Sequence, residues 1–166
     1  MEKYALHIDD AACWGCKTCE VACKQEMGAP DGVKLIDVQE DGPSVVDGQP
    51  HFLFRVNMCR HCDDPPCAEA CPEEAIRKRD DGIVVLDEKR CTGCQNCIEA
   101  CPYGAIAFDE ERGLARKCNL CHHRVDRGLY PACADNVCLG QCIYFGEPRK
   151  ILGEIAAKHQ IWARKP

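Results

Sequence analysis

Four cysteine arrays constrain this chain more than any other feature of its sequence. Two stand back to back near the middle. The first of these reads Cys59-Arg-His-Cys62-Asp-Asp-Pro-Pro-Cys67-Ala-Glu-Ala-Cys71-Pro72, and the second Cys91-Thr-Gly-Cys94-Gln-Asn-Cys97-Ile-Glu-Ala-Cys101-Pro102. Both close on the phrase Glu-Ala-Cys-Pro-x-x-Ala-Ile, at 69–76 and 99–106, so one unit is written twice. An earlier array, Cys13-Trp-Gly-Cys16-Lys-Thr-Cys19-Glu-Val-Ala-Cys23-Lys24, keeps the spacing but replaces the proline with Lys24. The last array opens with Cys118-Asn-Leu-Cys121, reaches Pro131-Ala-Cys133 after a longer gap, and ends on Cys138 and Cys142.

Seventeen cysteines in 166 residues would ordinarily signal a disulfide scaffold. The C-x2-C runs are too tight to staple distant segments, and the N-terminus shows no secretory leader. Structural zinc uses paired C-x2-C motifs, but four thiols in one short run with a trailing Cys-Pro are not its layout. The C-x2-C-x2-C-x3-C-P run at 91–102 matches the bacterial ferredoxin pattern letter for letter. Three thiolates two residues apart, on a loop with small residues such as Gly93, wrap three corners of an iron–sulfur cube. The fourth comes a helical turn later and points away, and in two-cluster ferredoxins it binds the neighbouring cluster. The inner arrays are therefore expected to cross-ligate. Cys59, Cys62, Cys67 and Cys101 would hold one cubane; Cys91, Cys94, Cys97 and Cys71 would hold the next. Pro72 and Pro102 end the short helical turns.

Composition narrows the partners. The formal charge is −6, and four oxidised cubanes with their thiolates would deepen it to roughly −14. That sign argues against nucleic acid, whose phosphates are met by Lys and Arg. There is no apolar run long enough to span a bilayer, and the chain reads as soluble and cytoplasmic.

The segments between the arrays are short. Residues 3–8 predict a strand leading into the first array, and the helix after Cys23 is expected to run to Gly28 or Pro30. Trp14 has two readings, a shield over a cluster or an ordinary core residue. Val33–Val38 and His51–Val56 predict two strands, separated by turn signals at Asp41-Gly-Pro and Asp47-Gly-Gln-Pro. His51, His61, His122 and His123 are expected to hydrogen-bond or face solvent rather than ligate, because cysteine already suffices. Hairpins are expected around Asp80-Asp81-Gly82 and Arg112-Gly113, with the charged stretch 77–81 as a solvated turn. After Pro148, apolar residues at helical spacing predict a terminal helix.

The last array carries a more specific resemblance. C-x2-C, a longer gap, Pro-Ala-Cys and a final cysteine before an aromatic-Gly strand (Phe145-Gly146) are similar to the iron–sulfur subunits of the dimethyl-sulfoxide-reductase type. The resemblance covers residues 4 to about 147 and implies four [4Fe-4S] clusters. It maps Cys118, Cys121 and Cys133 without strain; Cys138 takes the family's last position, but it follows four residues rather than three and precedes Leu139 rather than proline. Cys142 as the ligand stays open, since Cys138 and Cys142 themselves have the x3 spacing. By the resemblance the outer arrays pair as the inner ones do: Cys13, Cys16 and Cys19 with Cys138, and Cys118, Cys121 and Cys133 with Cys23.

The implied fold is α+β: a duplicated bacterial-ferredoxin-like polyferredoxin domain over 1–166, built from two double-cluster modules. The inner module spans about 57–110 and the outer about 4–30 plus 114–147, with a β insertion at about 31–56 and a C-terminal helix at about 148–162. No dinucleotide fingerprint, P-loop or C-x3-C-x2-C radical triad is present, which leaves a non-catalytic electron conductor. The resemblance implies a large catalytic subunit carrying a tungsten or molybdenum pterin. The Cys-x4-Cys-x3-Cys ending resembles the small polyferredoxin of tungsten aldehyde oxidoreductases. A flavin subunit or a ferredoxin would then exchange electrons with it. A formate-dehydrogenase or hydrogenase-linked subunit, a freely diffusing polyferredoxin and a zinc-stabilised interaction module are the alternatives.

Overall fold

In the computed structural model, which describes residues 4–163, each cysteine loop leads into a short helix, and three of the arrays lead on into short antiparallel strands. The elements run β1 (Ala5–Ile8), α1 (Thr18–Met27), β2 (Ile36–Val46), β3 (Gln49–Met58), α2 (Pro66–Glu69), β4 (Ile76–Lys78), β5 (Val84–Leu86), α3 (Asn96–Glu99), β6 (Ile106–Asp109), β7 (Leu114–Lys117), α4 (His122–Val125), β8 (Ile143–Gly146) and α5 (Pro148–Ala163). Four two-stranded sheets result: β4 with β5, β6 with β7, β2 with β3, and β1 with β8. The last pair joins the two ends of the chain, with Ala5 opposite Gly146 and Ile8 opposite Ile143. The fold is α+β with short sheets and a C-terminal helix. The predicted strand at 3–8 is β1, except for Lys3, which lies outside the described residues.

Cysteine position dictates where the strands begin. Cys71, Cys101 and Cys138 are each followed, four residues on, by a small buried residue (Ala75, Ala105, Cys142) and then by a buried isoleucine (Ile76, Ile106, Ile143) that opens a strand. Ile76 and Ile106 meet Val84, Ala115, Cys67 and Cys97 in one small core. Ile143 joins a larger one with Ile8, Cys19, Cys23, Val38, Val56 and Met58. A third links Ile83, Val85, Leu120 and Val125 beneath Tyr4, Leu6 and Phe145. The cysteines themselves are thus core residues. α1 stops where expected, at Gly28, which adopts a left-handed φ of 55° suited to glycine at a helix C-terminus.

Two expectations are corrected. Asp41-Gly42-Pro43 is no turn: β2 runs through it, with a register irregularity between Asp41 and Ser44, and the chain reverses at Asp47-Gly48. A two-stranded sheet always leaves one edge of each strand free, so a proline at a bulge removes no needed ladder bond. The base of this hairpin is fixed from outside. Glu20 Oε1 accepts from the Val38 N–H, and Asp10 Oδ1 accepts from the Val56 N–H at 3.3 Å. Its tip is exposed, Val45 and Phe52 included. The charged turn at 77–81 is also more than solvated. Arg79 grips Asp126, the residue that caps the C-terminus of α4, through both terminal nitrogens, at 2.6 and 3.1 Å, and Asp81 at 2.8 Å.

A buried ion pair joins the inner hairpin to α1. Asp109, with no exposed side-chain surface, accepts from Arg116 Nη1 at 3.2 Å, and Arg116 Nη2 reaches the Met27 carbonyl at 2.6 Å. Removing one partner of a buried pair leaves the other charge uncompensated, at about 3–5 kcal/mol. Asp109→Ala is expected to lower the thermal midpoint of the cluster-loaded chain by roughly 10 °C, read by the loss of visible absorbance on anaerobic heating. A midpoint unchanged within error would contradict this account of the pair.

Candidate metal centres

The loop backbone is the same in all four arrays at one decisive place. The residue before the second cysteine takes a left-handed conformation each time: Gly15 (φ 67°), His61 (φ 47°), Gly93 (φ 74°) and Leu120 (φ 52°). This reversal curls the chain so that successive thiols converge on one side. At Gly93 nothing larger fits, because a Cβ there would lie 2.3 Å from the Gly113 carbonyl oxygen. Gly93→Ala is therefore expected to displace the 91–97 loop and cost the chain about a quarter of its iron. Iron analysis that finds the wild-type content would contradict this.

The structure brings the inner cysteines together in crossed sets. One cavity is lined by Cys59, Cys62, Cys67 and Cys101, with Val84 and Ile106 as its floor. A second is lined by Cys91, Cys94, Cys97 and Cys71, with Ile76, Leu86 and Ala115. The outer cysteines also cross. Burial pushes the Cys19 thiol up to about 12, and Cys138, Cys13 and Cys16 add to the effect. Cys133 is raised by burial and by Cys118, Cys23 and Cys121. Burial likewise raises Cys23 to about 12, with Cys121 beside it, and Cys97 to about 11, with Cys91, Cys71 and Cys94 around it.

These shifts have one cause in common. Burial raises Cys19, Cys23, Cys97 and Cys133 first, with neighbouring thiols adding to it, and coordinated iron would supply the compensating positive charge while deprotonating its ligands outright. The donor sets therefore fit cubanes. Among the described residues no three His, Cys, Asp or Glu stand close enough to grip a single ion; a cube holds its thiolates further apart than a lone zinc does. The sulfurs also receive hydrogen bonds from the backbone. N–H groups of Ala75, Ala105, Cys142 and Leu120 donate to the sulfurs of Cys71, Cys101, Cys138 and Cys118 at 3.3–3.4 Å. Such bonds stabilise negative charge on sulfur.

The four sets act on one another in sequence. Cys19 of the first acts electrostatically on Cys133 of the second. Cys59 acts on Cys118, joining the second set to the third. Cys67 acts on Cys97, joining the third to the fourth. Of the seventeen cysteines only Cys16 and Cys94 are exposed, one in the first set and one in the fourth. Cys16 is steadied by the Thr18 hydroxyl at 3.3 Å, and that hydroxyl donates to the Val137 carbonyl next to Cys138.

The histidines hydrogen-bond or face solvent. His61 Nδ1 accepts from the Val84 N–H at 3.0 Å, and burial pushes its pKa down to about 3, with Lys117 and Lys78 adding to it. The neutral ring then carries its proton on Nε2, which is buried and without a protein partner among the described residues. His123 pairs with Glu26 at 2.7 Å, His122 lies 3.8 Å from Asp126, and His51 is exposed. Trp14 is not a core residue: it is 68% exposed beside Cys13. The loop it sits on must stay at the surface to leave Cys16 accessible.

One functional residue escaped the sequence. Lys117 is buried and donates to the Val84 carbonyl and, at 2.8 Å, to the Cys118 carbonyl. Its charge acts on both Cys67 and Cys118, so it stands between the second and third sets. In sequence it is only the last residue of a strand before a cysteine.

Comparison with known proteins places these loops in context. The family model of the 4Fe-4S dicluster domain matches residues 50–148. The chain is 40% identical over 162 residues to a tetrathionate reductase subunit of Salmonella typhimurium, covering 95% of this chain and 60% of that one. It is 40% identical over 167 residues to a component of the anaerobic dimethyl sulfoxide reductase of Escherichia coli, covering 93% of this chain and 80% of that one. It is 36% identical over 146 residues to the thiosulfate reductase electron transfer subunit of Salmonella typhi, covering 87% and 76% respectively.

Proposed function

This protein belongs to the 4Fe-4S dicluster family, and on that premise we propose that it is the electron-transfer subunit of a molybdenum-pterin reductase complex. The single observation that carries this reading is the crossed convergence of sixteen cysteines into four contiguous sets. The ligand assignment follows from those sets. Cys13, Cys16, Cys19 and Cys138 hold the first cluster; Cys118, Cys121, Cys133 and Cys23 the second; Cys59, Cys62, Cys67 and Cys101 the third; Cys91, Cys94, Cys97 and Cys71 the fourth. Cys138 rather than Cys142 is the last ligand, because its sulfur receives the same N–H bond from four residues on that Cys71 and Cys101 receive. The repeated loop backbone also supports a duplicated origin for the two inner units.

A [4Fe-4S] cubane supplies a one-electron couple. The chain's part is to hold four of them in order and leave one thiol exposed in each of the first and fourth sets. Electrons enter at one of Cys16 and Cys94 and leave at the other. Every set has four thiols, which suits conduction and leaves no iron open for catalysis. Among the described residues no helix is long and apolar enough to cross a membrane.

The relatives compared above are named for tetrathionate, dimethyl sulfoxide and thiosulfate, all oxidised sulfur compounds. None supports the tungsten aldehyde oxidoreductase expected from the Cys-x4-Cys-x3-Cys ending, so the preferred partner is a molybdenum enzyme reducing a substrate of that class. The test is isolation of the chain from its native cells under anaerobic conditions. It should remain with a large pterin-containing protein through gel filtration, and that protein should carry molybdenum. Elution alone, fully loaded and stable, would make the chain a diffusible carrier instead.

A further inference from the structure

Where the two inner loops place a methyl group against the last cluster ligand, the C-terminal loop places a thiol. Ala75, Ala105 and Cys142 occupy the same backbone position, four residues after Cys71, Cys101 and Cys138, each donating its N–H to that cysteine's sulfur. Cys142 is 2% exposed, and its Sγ lies 3.4 Å from Cys138 Sγ. The seventeenth cysteine is thus pressed against the last ligand sulfur of one set, where the two inner loops keep alanine.

We propose that Cys142 is a positioning residue for the first cluster: it donates its S–H to the ligand sulfur of Cys138 and raises that cluster's reduction potential. The proposal rests on the ligand assignment above. Its physical basis is the charge carried by each oxidation state. Reduction adds one negative charge, part of which resides on the thiolates, so a donor aimed at those sulfurs favours the reduced form. The backbone N–H bond is common to all three loops and cancels in the comparison; the thiol does not. The end of the wire at Cys16 is therefore easier to reduce than an alanine-bearing loop would make it.

The test uses the full-length chain, isolated anaerobically with its clusters, as wild type, Cys142→Ala and Cys142→Ser. Iron content is measured first, then each cluster's midpoint potential by redox titration followed by EPR. Cys142→Ala should keep the wild-type iron while one cluster becomes harder to reduce. Its reduced-to-oxidised ratio at the wild-type midpoint should fall about three- to tenfold, the upper value being about 59 mV for a one-electron couple. Cys142→Ser, which keeps a donor, should stay within about twofold of wild type. Full iron with unmoved potentials would overturn the proposal and leave the ligand assignment standing. Loss of one cluster's iron in Cys142→Ala would overturn both, because Cys142 would then be a ligand. Ala105→Cys provides an independent check, installing the same thiol beside Cys101. The cluster held by Cys101 should become easier to reduce by a similar factor, and an unmoved potential there would also overturn the proposal.

Discussion

Replacing Cys101 with serine is expected to empty the cluster site of a different loop, the one carrying Cys59, Cys62 and Cys67. Cys101 belongs to the third array by sequence, but the α3 turn carries its sulfur into the cavity lined by those three cysteines. Its own array is completed instead by Cys71. Iron should fall by about a quarter, from on the order of sixteen per chain to twelve. The EPR signal that disappears should be the one lost in Cys59→Ser, not the one lost in Cys91→Ser. On the proposed assignment this cluster stands between the second and fourth sets, so end-to-end electron transfer should collapse by orders of magnitude while the partner's own active site stays intact. Loss of the same signal in Cys101→Ser and Cys91→Ser would mean that each array ligates its own cluster, and the crossed arrangement would be wrong.

Lys117→Met has the next largest expected effect. The ammonium is buried, bonded to two carbonyls, and placed between Cys67 of the third set and Cys118 of the second. As a generic scale, a unit charge at roughly 8 Å in an effective dielectric near 20 is worth on the order of 2 kcal/mol to an added electron. That corresponds to a fall of about 90 mV for a one-electron couple. Methionine keeps the length and packing of the side chain while removing the charge, so two clusters should become harder to reduce together while iron content holds. A redox titration in which only one cluster moves, or none, would show that Lys117 is a structural tether alone. The placement has a clear consequence for conduction: a cation midway along a row of anionic clusters lowers the barrier that charge repulsion would otherwise build there.

How much of this was legible in the sequence depended on whether the information was local. The cysteine spacing fixes a loop that closes on one cube, and the Cys-Pro-x-x-Ala-Ile phrase fixes where β4 and β6 begin, because a proline ends the turn and a buried isoleucine starts the strand. The terminal helix, the hairpins at 76–86 and 106–117 and the end of α1 at Gly28 followed from equally local signals. Trp14 did not, since a large aromatic beside a cysteine reads the same whether it faces inward or outward. Pro43 did not, because a turn signal is overridden when the strand has a free edge to spare. Lys117 was invisible for a deeper reason: its role exists only once β5 and the last array bring the Val84 and Cys118 carbonyls to the same point. The choice between Cys138 and Cys142 lay between these cases. Spacing left both open, and the N–H bond shared with Cys71 and Cys101 favours Cys138.

The makeup of the cores bears on what the metal would contribute to the fold. They are built partly of cysteine, so the proposed clusters would also complete the interior. Arg79 and Glu26 tie loops together at the periphery, Glu26 by bridging α1 to both His123 and Arg124 of α4, and Arg116 does so from its buried pair with Asp109. None of these ties replaces a cluster at the centre of its loop.

The most direct measurement of the central claim is an anaerobic count, on one sample, of iron, acid-labile sulfide and electrons taken up. Four cubanes predict on the order of sixteen irons, sixteen sulfides and four electrons per chain, with absorption near 400 nm that bleaches on reduction. Zinc in place of iron, or a colourless chain that takes up no electrons, would contradict it.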